Sequence, residues 1–194
     1  FRDPDTLEEV NRATDLKDLQ DKIFQIPDKS LHWHLSQNHF SKWLYARALF
    51  PIARTFKSLT LEDFEDLDEV RRYLYDAIAS FRMNKARGVI AQFYRDRYDE
   101  YLTFTRIGEG SIGGKARGLA FLDSMIKRHG ELNRFENIIV SIPRTVVIST
   151  DIFDEFMEEN ELYHFALSNV PDHEILNRFV RARLPFRIHE DLYT

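Results

Sequence analysis

Apolar residues recur every three or four positions through roughly the first hundred residues, a spacing that places them on one side of an α-helix. The first predicted helix follows a capping-box pattern at 6–9 and ends at Pro27. The second extends over 28–56, with a kink at Pro51, because proline lacks the N–H that a helix interior needs. The pattern therefore predicts a helical beginning to the chain.

A third and longer helix is predicted over 67–101. A second capping pattern at 60–63 precedes it, and Gly88 is its weak position. Its expected buried side chains are Val70, Leu74, Ala77, Phe81, Ile90 and Phe93. We expect residues 1–102 to form a helical bundle, with a domain boundary near Leu102.

The pattern changes at Thr103, where β-branched and aromatic residues predict a short strand that ends before Gly108. After the glycines that follow, the sequence predicts a helix over 115–130, strands over 137–142 and 144–150, and helices over 151–167 and 172–184. The expected fold class is α+β and mostly helical, with residues 103–194 forming an α/β domain after the helical one.

Composition restricts the class of protein further. Hydrophobic residues make up 43% of the 194 residues, enough for a substantial core. Since no apolar run reaches the roughly 20 residues of a membrane helix and the N-terminal segment is acidic, we expect a cytoplasmic protein without a membrane partner. The absence of cysteine excludes disulfides and thiol chemistry. Because the chain begins with Phe1 rather than Met, we interpret it as a piece of a longer protein.

Nucleic acid is not an expected partner. The net charge is −5, and acidic residues interrupt the densest group of basic ones. A solvated helix face above an aromatic core explains this group better than an RNA-binding surface does. The basic residues concerned are Arg71, Arg72, Arg82, Lys85, Arg87, Arg95 and Arg97.

Three histidines lie close together in the second predicted helix. In a continuous helix, His32 and His34 point in widely different directions, and His39 lies two turns, about 10 Å, from His32. A single zinc ion needs ligands much closer together. We therefore predict no metal site.

Five of the seven glycines fall between 108 and 118, and their spacing matches several known patterns only in part. Gly108, Gly110 and Gly113 satisfy the G-x-G-x-x-G fingerprint of dinucleotide-binding folds, but no acidic residue follows at the end of a second strand. The protein-kinase glycine loop and the Walker A pattern each lack further residues that they require.

Gly113 and Gly114 directly precede a predicted helix, and Lys115 follows them. Backbone N–H groups without a Cβ can approach an anion closely, and a helix N-terminus adds about half a positive elementary charge. Two interpretations stay open from the residues alone. One is a phosphate-binding site in which Lys115 supplies a full charge, and the other is a flexible loop with a solvated lysine.

The segment IGGKARGLAFL and the later segment VSIPRTVVISTDIFDEFM together resemble the start of the ATP-binding, ATP-grasp-like domain of the phosphoenolpyruvate synthase and pyruvate phosphate dikinase family. The residues that match the two motifs are Gly113, Gly114, Lys115, Leu119, Pro143, Val147, Ile148, Thr150, Phe153 and Phe156. The resemblance covers about 105–194. Arg144, Thr145 and Val146 stand where the family has Pro-Gly-Phe, which indicates a divergent branch.

The resemblance implies that Gly113, Gly114 and Lys115 bind the phosphates of ATP, while magnesium is held by parts of a longer protein outside this chain. The implied parent is an ATP-dependent phosphotransferase that passes a phosphoryl group to pyruvate through a carrier histidine. Its remaining nucleotide domain and phosphohistidine domain would be the partners of this chain. Since the family's arginine strand and magnesium carboxylates are not in this sequence, we assign no catalytic residue and expect the fragment alone to be inactive.

A function of a different class is also consistent with the sequence. The aromatic and aliphatic residues of 31–56 exceed what one helical face can bury, so residues 1–102 would suit a linker or a docking module for an upstream domain. On this alternative, the chain is a non-catalytic interaction or regulatory module of a larger protein.

Overall fold

The structure is a computed structural model that describes residues 1–96 and 99–192. The predicted fold class is confirmed at the level of an α+β chain that is mostly helical and carries a small parallel sheet. The chain forms two compact units, Phe1–Asn84 and Lys85–Thr194.

After its first fifteen residues, the first unit consists of helices joined by short turns and loops. Its α-helices are α1 (Leu16–Lys22), α2 (Asp28–Ser36), α3 (His39–Tyr45), α4 (Phe50–Lys57) and α5 (Leu67–Ala86), the last of which reaches the start of the second unit. Short 3-10 turns at Ile23–Gln25 and Leu61–Asp63 connect some of them. The core of the unit is formed by Leu19, Ile23, Ile26, Leu31, Phe40, Leu44, Ile52, Ala53, Phe56, Val70, Leu74 and Ile78.

The predicted start of the first helix, at the capping pattern of 6–9, is wrong. Leu7 has a φ of 60°, and Arg2 and Glu9 instead form an isolated antiparallel bridge. The Asp3 carboxylate accepts from the backbone N–H groups of Asp5 and Thr6, at 2.9 and 3.2 Å. This local turn competes with a helical first turn for the same amides. The first helix therefore begins at Leu16, after the N-cap Asp15.

The second predicted helix is three helices rather than one. It breaks at Asn38, which adopts a left-handed conformation with a φ of 57°, and again at Ala48, with a φ of 58°. Pro51 does not kink a helix, because it lies in the first turn of α4, where its missing N–H costs no hydrogen bond. The capping pattern at 60–63 is confirmed, since Thr60 and Asp63 make both reciprocal hydrogen bonds.

The third predicted helix ends earlier than expected, at Ala86. Gly88 has a φ of 68°, a left-handed conformation that terminates helices. The chain then enters β1 (Ile90–Gln92), which pairs in parallel with β2 (Phe104–Ile107). The boundary between the two compact units lies between residues 84 and 85. The domain boundary predicted from the sequence was near Leu102.

The second unit contains a three-stranded parallel sheet in the order β1-β2-β3. The remaining elements are α6 (Gly113–Arg128), β3 (Thr145–Ile148), α7 (Thr150–Glu159), α8 (Leu162–Ala166), α9 (Asp172–Arg181) and α10 (Phe186–Leu192). The strand predicted over 144–150 is confirmed as β3. The strand predicted over 137–142 is wrong, and the helix predicted over 151–167 is interrupted at Glu161, whose φ is 53°.

The second unit has a small core. Its main cluster of buried hydrophobic residues consists of Ile107, Ile152 and Ile188, with Phe93 packed against it. Large apolar side chains remain outside this cluster, including Phe121 (63% exposed) and Leu122 (50% exposed) on α6. The buried face of α6 is instead formed by small or polar residues such as Ala120 and Ser124.

Two members of the basic group on α5 are not on a solvated face. Arg71 is 4% exposed and donates to the Ile23 carbonyl at 2.6 Å and to the Asp28 carboxylate at 2.5 Å. Arg82 is 7% exposed and donates to Gln20 at 2.6 Å. A buried guanidinium is tolerated only when its donors are satisfied, as they are here. Arg97 lies outside the described residues.

The helical geometry assumed for the three histidines does not hold, because the break at Asn38 brings two of them together. The Nδ1 atoms of His34 and His39 are 2.9 Å apart, and His32 is exposed on the surface. Over residues 1–96 and 99–192, no three His, Asp or Glu side chains are grouped so as to hold a metal ion. Within the same ranges, no helix has both the length and the hydropathy to cross a membrane.

The histidine pair makes the first unit sensitive to acid. Burial lowers the pKa of His34 to about 4, with further lowering by His39 and the Phe1 ammonium, and burial followed by Lys42 lowers the pKa of His39. A depressed histidine pKa means that the unfolded chain binds more protons, so the stabilisation is complete above pH 6.5 and is lost as the pH falls towards 4. Allowing for partial exposure, we expect the unfolding free energy to drop by about 1 kcal/mol between pH 7 and pH 5.

Urea unfolding followed by tryptophan fluorescence tests this expectation, because both tryptophans, Trp33 and Trp43, lie in the first unit. His34→Gln should flatten the dependence on pH, whereas the surface control His32→Gln should keep it. An unchanged slope in His34→Gln would contradict the assignment.

Candidate functional site

The glycine cluster connects β2 to α6, and the structure divides it into two parts. Gly108 and Gly110 lie in a loop packed against the start of α7, whereas Gly113 and Gly114 form the beginning of α6. The two parts have opposite steric environments. The first is closed to any side chain, and the second is open.

Gly108 and Gly110 are required by close packing. A Cβ on Gly108 would lie 2.0 Å from the Ser149 Oγ and 2.7 Å from an Asp151 carboxylate oxygen, and the φ of Gly108 is 93°. A Cβ on Gly110 would lie 2.7 Å from the backbone nitrogen of Asp151. Real Cβ atoms do not approach other atoms this closely, and residues that carry a Cβ rarely adopt the φ of Gly108. Only glycine therefore fits at either position.

The Asp151 carboxylate holds this part of the loop in place. It accepts from the backbone N–H of Glu109 at 3.1 Å and from that of Gly110 at 2.9 Å. It also accepts from the Ser149 hydroxyl, and Arg187 on α10 donates to it at 3.0 Å. We call Asp151 and these four donor residues the Asp151 latch.

Further hydrogen bonds join the same two segments. Thr150 and Ser111 exchange a pair of them, because the Thr150 backbone N–H donates to the Ser111 carbonyl at 2.8 Å and the Ser111 N–H donates to the Thr150 hydroxyl at 3.1 Å. The Ser149 backbone N–H donates to the Ile107 carbonyl at 3.0 Å. The loop is therefore fixed from the end of β2 as far as Ser111.

The electrostatics of the latch favour an ionised carboxylate. Burial raises the pKa of Asp151, but hydrogen bonds from Ser149, Glu109, Gly110 and Arg187 outweigh it and hold the pKa well below its usual range. Arg187 also donates to Glu155 on α7, so its charge is shared between two carboxylates. The guanidinium consequently belongs to the latch and is not available as an anion ligand.

The predicted site residues Gly113, Gly114 and Lys115 lie together in the first turn of α6 and are all exposed. A Cβ built on Gly113 or Gly114 meets no atom within 4 Å. Within the described ranges, the backbone N–H groups of Gly114 and Lys115 have no hydrogen-bond acceptor, as expected for the first turn of a helix that lacks a side-chain cap. The Gly113 N–H faces the Ser111 hydroxyl at 3.5 Å.

The Lys115 ammonium is also unpaired. It makes neither a hydrogen bond nor an ion pair with any residue that the structure describes. Donors that are unpaired, exposed and located at a helix N-terminus are able to bind an anion such as a phosphate. The three residues predicted for the site are consecutive, and all of them lie in this exposed first turn.

Sequence reasoning did not anticipate the latch. Asp151 is the first residue of the helix predicted over 151–167, but its carboxylate accepts from the loop before α6, and Ser149 occupies the N-cap position of α7. Arg187 was assigned no role. The pair of glycines at 108 and 110 was a signal for the close contact. Two glycines outside a turn pattern indicate that another segment of the chain approaches closely.

Comparison of the chain with models of protein families, with curated proteins and with solved structures gave no match.

The steric difference between the two glycine pairs predicts opposite effects of alanine. Gly108→Ala should destabilise the second unit by about 3 kcal/mol or more, because overpacking and a strained φ add together. Gly114→Ala should be neutral or slightly stabilising, because its Cβ enters open space and alanine favours helix. Native-state hydrogen exchange of the β2 and α7 amides would measure the stability change in each variant. Equal changes would contradict the division of the glycine cluster into a closed part and an open part.

The latch predicts a local change in backbone protection. Asp151→Ala should accelerate hydrogen exchange at the Glu109 and Gly110 amides by about tenfold or more, since each loses its acceptor. Asp154→Ala is a matched control, because that carboxylate accepts from the Tyr163 hydroxyl and has no contact with the loop. Unchanged protection in Asp151→Ala would show that the carboxylate does not hold the loop.

Proposed function

We propose that the second unit is the first part of an ATP-grasp-like nucleotide-binding domain from a phosphoenolpyruvate synthase-like phosphotransferase. Gly113, Gly114 and Lys115 bind the phosphates of ATP, and the chemistry requires parts of the parent protein beyond this chain. The observation that carries the proposal is the first turn of α6. Two open glycines lie there next to a loop that is fixed in place, with two backbone N–H groups and an ammonium that have no partner among the described residues.

The spatial relation of the two motifs supports the proposal. The first motif begins at the N-terminus of α6, and the second runs through β3 into α7. The hydrogen bonds between Ser111 and Thr150 join the segments directly, although they are distant in sequence. A pair of motifs that builds a single site should be adjacent in this way.

The electrostatic role of each group follows from its position. The helix N-terminus contributes a partial positive charge that is fixed in direction, and the Lys115 ammonium contributes a full charge on a flexible stem. Both would neutralise the phosphate tail of ATP, whose transfer depends on positioning and charge neutralisation. Magnesium and the phosphoryl acceptor would be bound elsewhere in the parent protein.

The departure from the family motif has its own structural role. Arg144, which stands where the family has proline, donates to the Glu100 carbonyl at 2.8 Å. The Thr145 hydroxyl donates to the Pro143 carbonyl at 2.9 Å. These contacts fix the entry into β3 through side chains that a Pro-Gly-Phe sequence lacks, consistent with a divergent branch that keeps the strand and its connection.

The surface of the second unit supports partners within a longer polypeptide. Ile139, Leu167 and Phe186 are 87%, 87% and 83% exposed, which is unusual for such large apolar side chains. On this proposal they contact the remainder of the nucleotide domain. The first unit would act as a helical bundle that links or docks a neighbouring domain, and these exposed residues equally favour the alternative of a non-catalytic interaction module.

Titration with ATP tests the proposed site. In amide NMR spectra, ATP should shift Gly113, Gly114 and Lys115 with a Kd on the order of 1 mM, because only part of the nucleotide site is present. Lys115→Ala should weaken binding about five- to tenfold, the effect of one charge-assisted contact. Lys57→Ala is the charge-matched control, because Lys57 is also exposed but lies in the first unit.

The same titration separates the two candidate functions. If ATP shifts the α6 amides equally in Lys115→Ala and in the unsubstituted chain, Lys115 is not part of a phosphate site. An absence of any saturable shift at α6 would favour the interaction module.

A further inference from the structure

The first unit contains a cavity of about 180 Å³ between its N-terminal segment and helices α2 and α3. Phe1, Phe40 and Trp43 line it with aromatic rings, and Ala13 and Leu19 add aliphatic surface. Its polar lining residues are His34, His39 and Arg12. The cavity is thus mostly apolar, with a few polar groups at defined positions, which is the usual composition of a small-molecule site.

The size and walls of the cavity restrict the ligand to a small planar ring. An apolar cavity of about 150 Å³ is large enough to bind benzene, so a single substituted ring fits here. The aromatic lining residues already pack against one another in the usual ring geometries. The Phe1 ring contacts the His34 ring edge to face, with a centroid distance of 5.1 Å, and its centroid lies 5.5 Å from that of Phe40.

The hydrogen bonds of the two histidines fix where their protons lie. The Arg2 backbone N–H donates to the His34 Nε2 at 3.0 Å, so this nitrogen is an acceptor and the neutral ring carries its proton on Nδ1. That Nδ1–H donates to the His39 Nδ1 at 2.9 Å. His39 is therefore protonated on Nε2, and its ring is one of the groups that line the cavity.

The His39 Nε2–H has no acceptor in the part of the chain that the structure describes. Among those residues, no buried side-chain nitrogen or oxygen lacks a partner, so this nitrogen is accessible from outside the protein. An accessible N–H beside an apolar cavity is suited to a ligand with one acceptor atom.

The charges around the cavity favour a neutral ligand. Arg12 donates to both carboxylate oxygens of Glu9, at 3.0 and 2.7 Å, so its charge is compensated. With both imidazoles neutral, no uncompensated side-chain charge among the described residues lines the cavity to attract a charged ligand.

We propose that this cavity binds a small, neutral, planar aromatic compound with a carbonyl oxygen. The ring packs among Phe1, Phe40 and Trp43, and the carbonyl oxygen accepts from the His39 Nε2–H. This site lies within the first unit and is independent of the function proposed for the second.

Benzamide is a suitable probe, with toluene as the matched compound that lacks the carbonyl. In NMR titrations of the whole chain, benzamide should shift the Trp43 indole and Ala13 amide signals, with a Kd of about 1 mM, as expected from the size of the molecule. Ala13→Leu fills the cavity and should abolish the binding of both compounds. His39→Phe should weaken benzamide about fivefold and leave toluene unchanged.

Two further variants keep the test decisive. His39→Gln restores an N–H at a similar position and should retain benzamide binding, and Ala13→Leu remains as the test if His39→Phe does not fold. His32→Phe removes an exposed imidazole and should change nothing. The proposal is overturned if benzamide gives no saturable shift up to about 20 mM, some twentyfold above the expected Kd, if Ala13→Leu binds normally, or if His39→Phe weakens benzamide no more than it weakens toluene.

Discussion

The second unit depends on a single carboxylate, that of Asp151. It joins the loop after β2, the start of α7 and the helix α10 through hydrogen bonds to Glu109, Gly110, Ser149 and Arg187. The main apolar cluster of the unit joins the same three segments, because each of its three buried isoleucines is next in sequence to a residue of the Asp151 latch or of the loop that the latch holds. Ile107 precedes Gly108, Ile152 follows Asp151 and Ile188 follows Arg187. With so small a core, polar and apolar contacts hold the same three segments together at one place.

This arrangement explains why glycine occurs where it does. The carboxylate can reach two backbone N–H groups only if the loop lies directly against α7, and that approach leaves no room for a Cβ at Gly108 or Gly110. Gly113 and Gly114 meet no such neighbour. One sequence cluster therefore serves two physical purposes, of which only the second concerns access for a ligand.

Sequence patterns predicted the elements that depend on local contacts. The helix α6, the strands β2 and β3 and the capping box at Thr60 were placed correctly, because propensity, periodicity and caps determine them. The helix breaks at Asn38 and Glu161 were not predicted. Both residues adopt a left-handed backbone conformation, but the apolar spacing continues through them and neither is a glycine, the residue that usually marks such a break. Strand β1 was missed because three residues of a sheet gain their stability from a neighbour that is distant in sequence.

The candidate site shows the same limit. Gly113, Gly114 and Lys115 could be selected from sequence, because they are consecutive and their chemistry is evident from residue type. Asp151 and Arg187 could not, because their roles depend on contacts across 36 to 42 residues of sequence. Long-range polar contacts leave no periodic signal in a single sequence, and an aspartate at the start of a predicted helix is typical of a helix cap.

The latch also bears on whether the lysine loop is simply flexible. A loop that orders only when a ligand arrives loses affinity by the entropy of that ordering, whereas a loop fixed during folding does not. Hydrogen bonds fix this connection from Ile107 to Ser111, and α6 is continuous after Gly113, whose φ is 69°. The amides of Gly114 and Lys115, which are unpaired among the described residues, thus follow closely on an ordered loop, and the lysine side chain retains rotational freedom. On the proposed function, that geometry would make a preorganised anion site rather than a mobile surface loop.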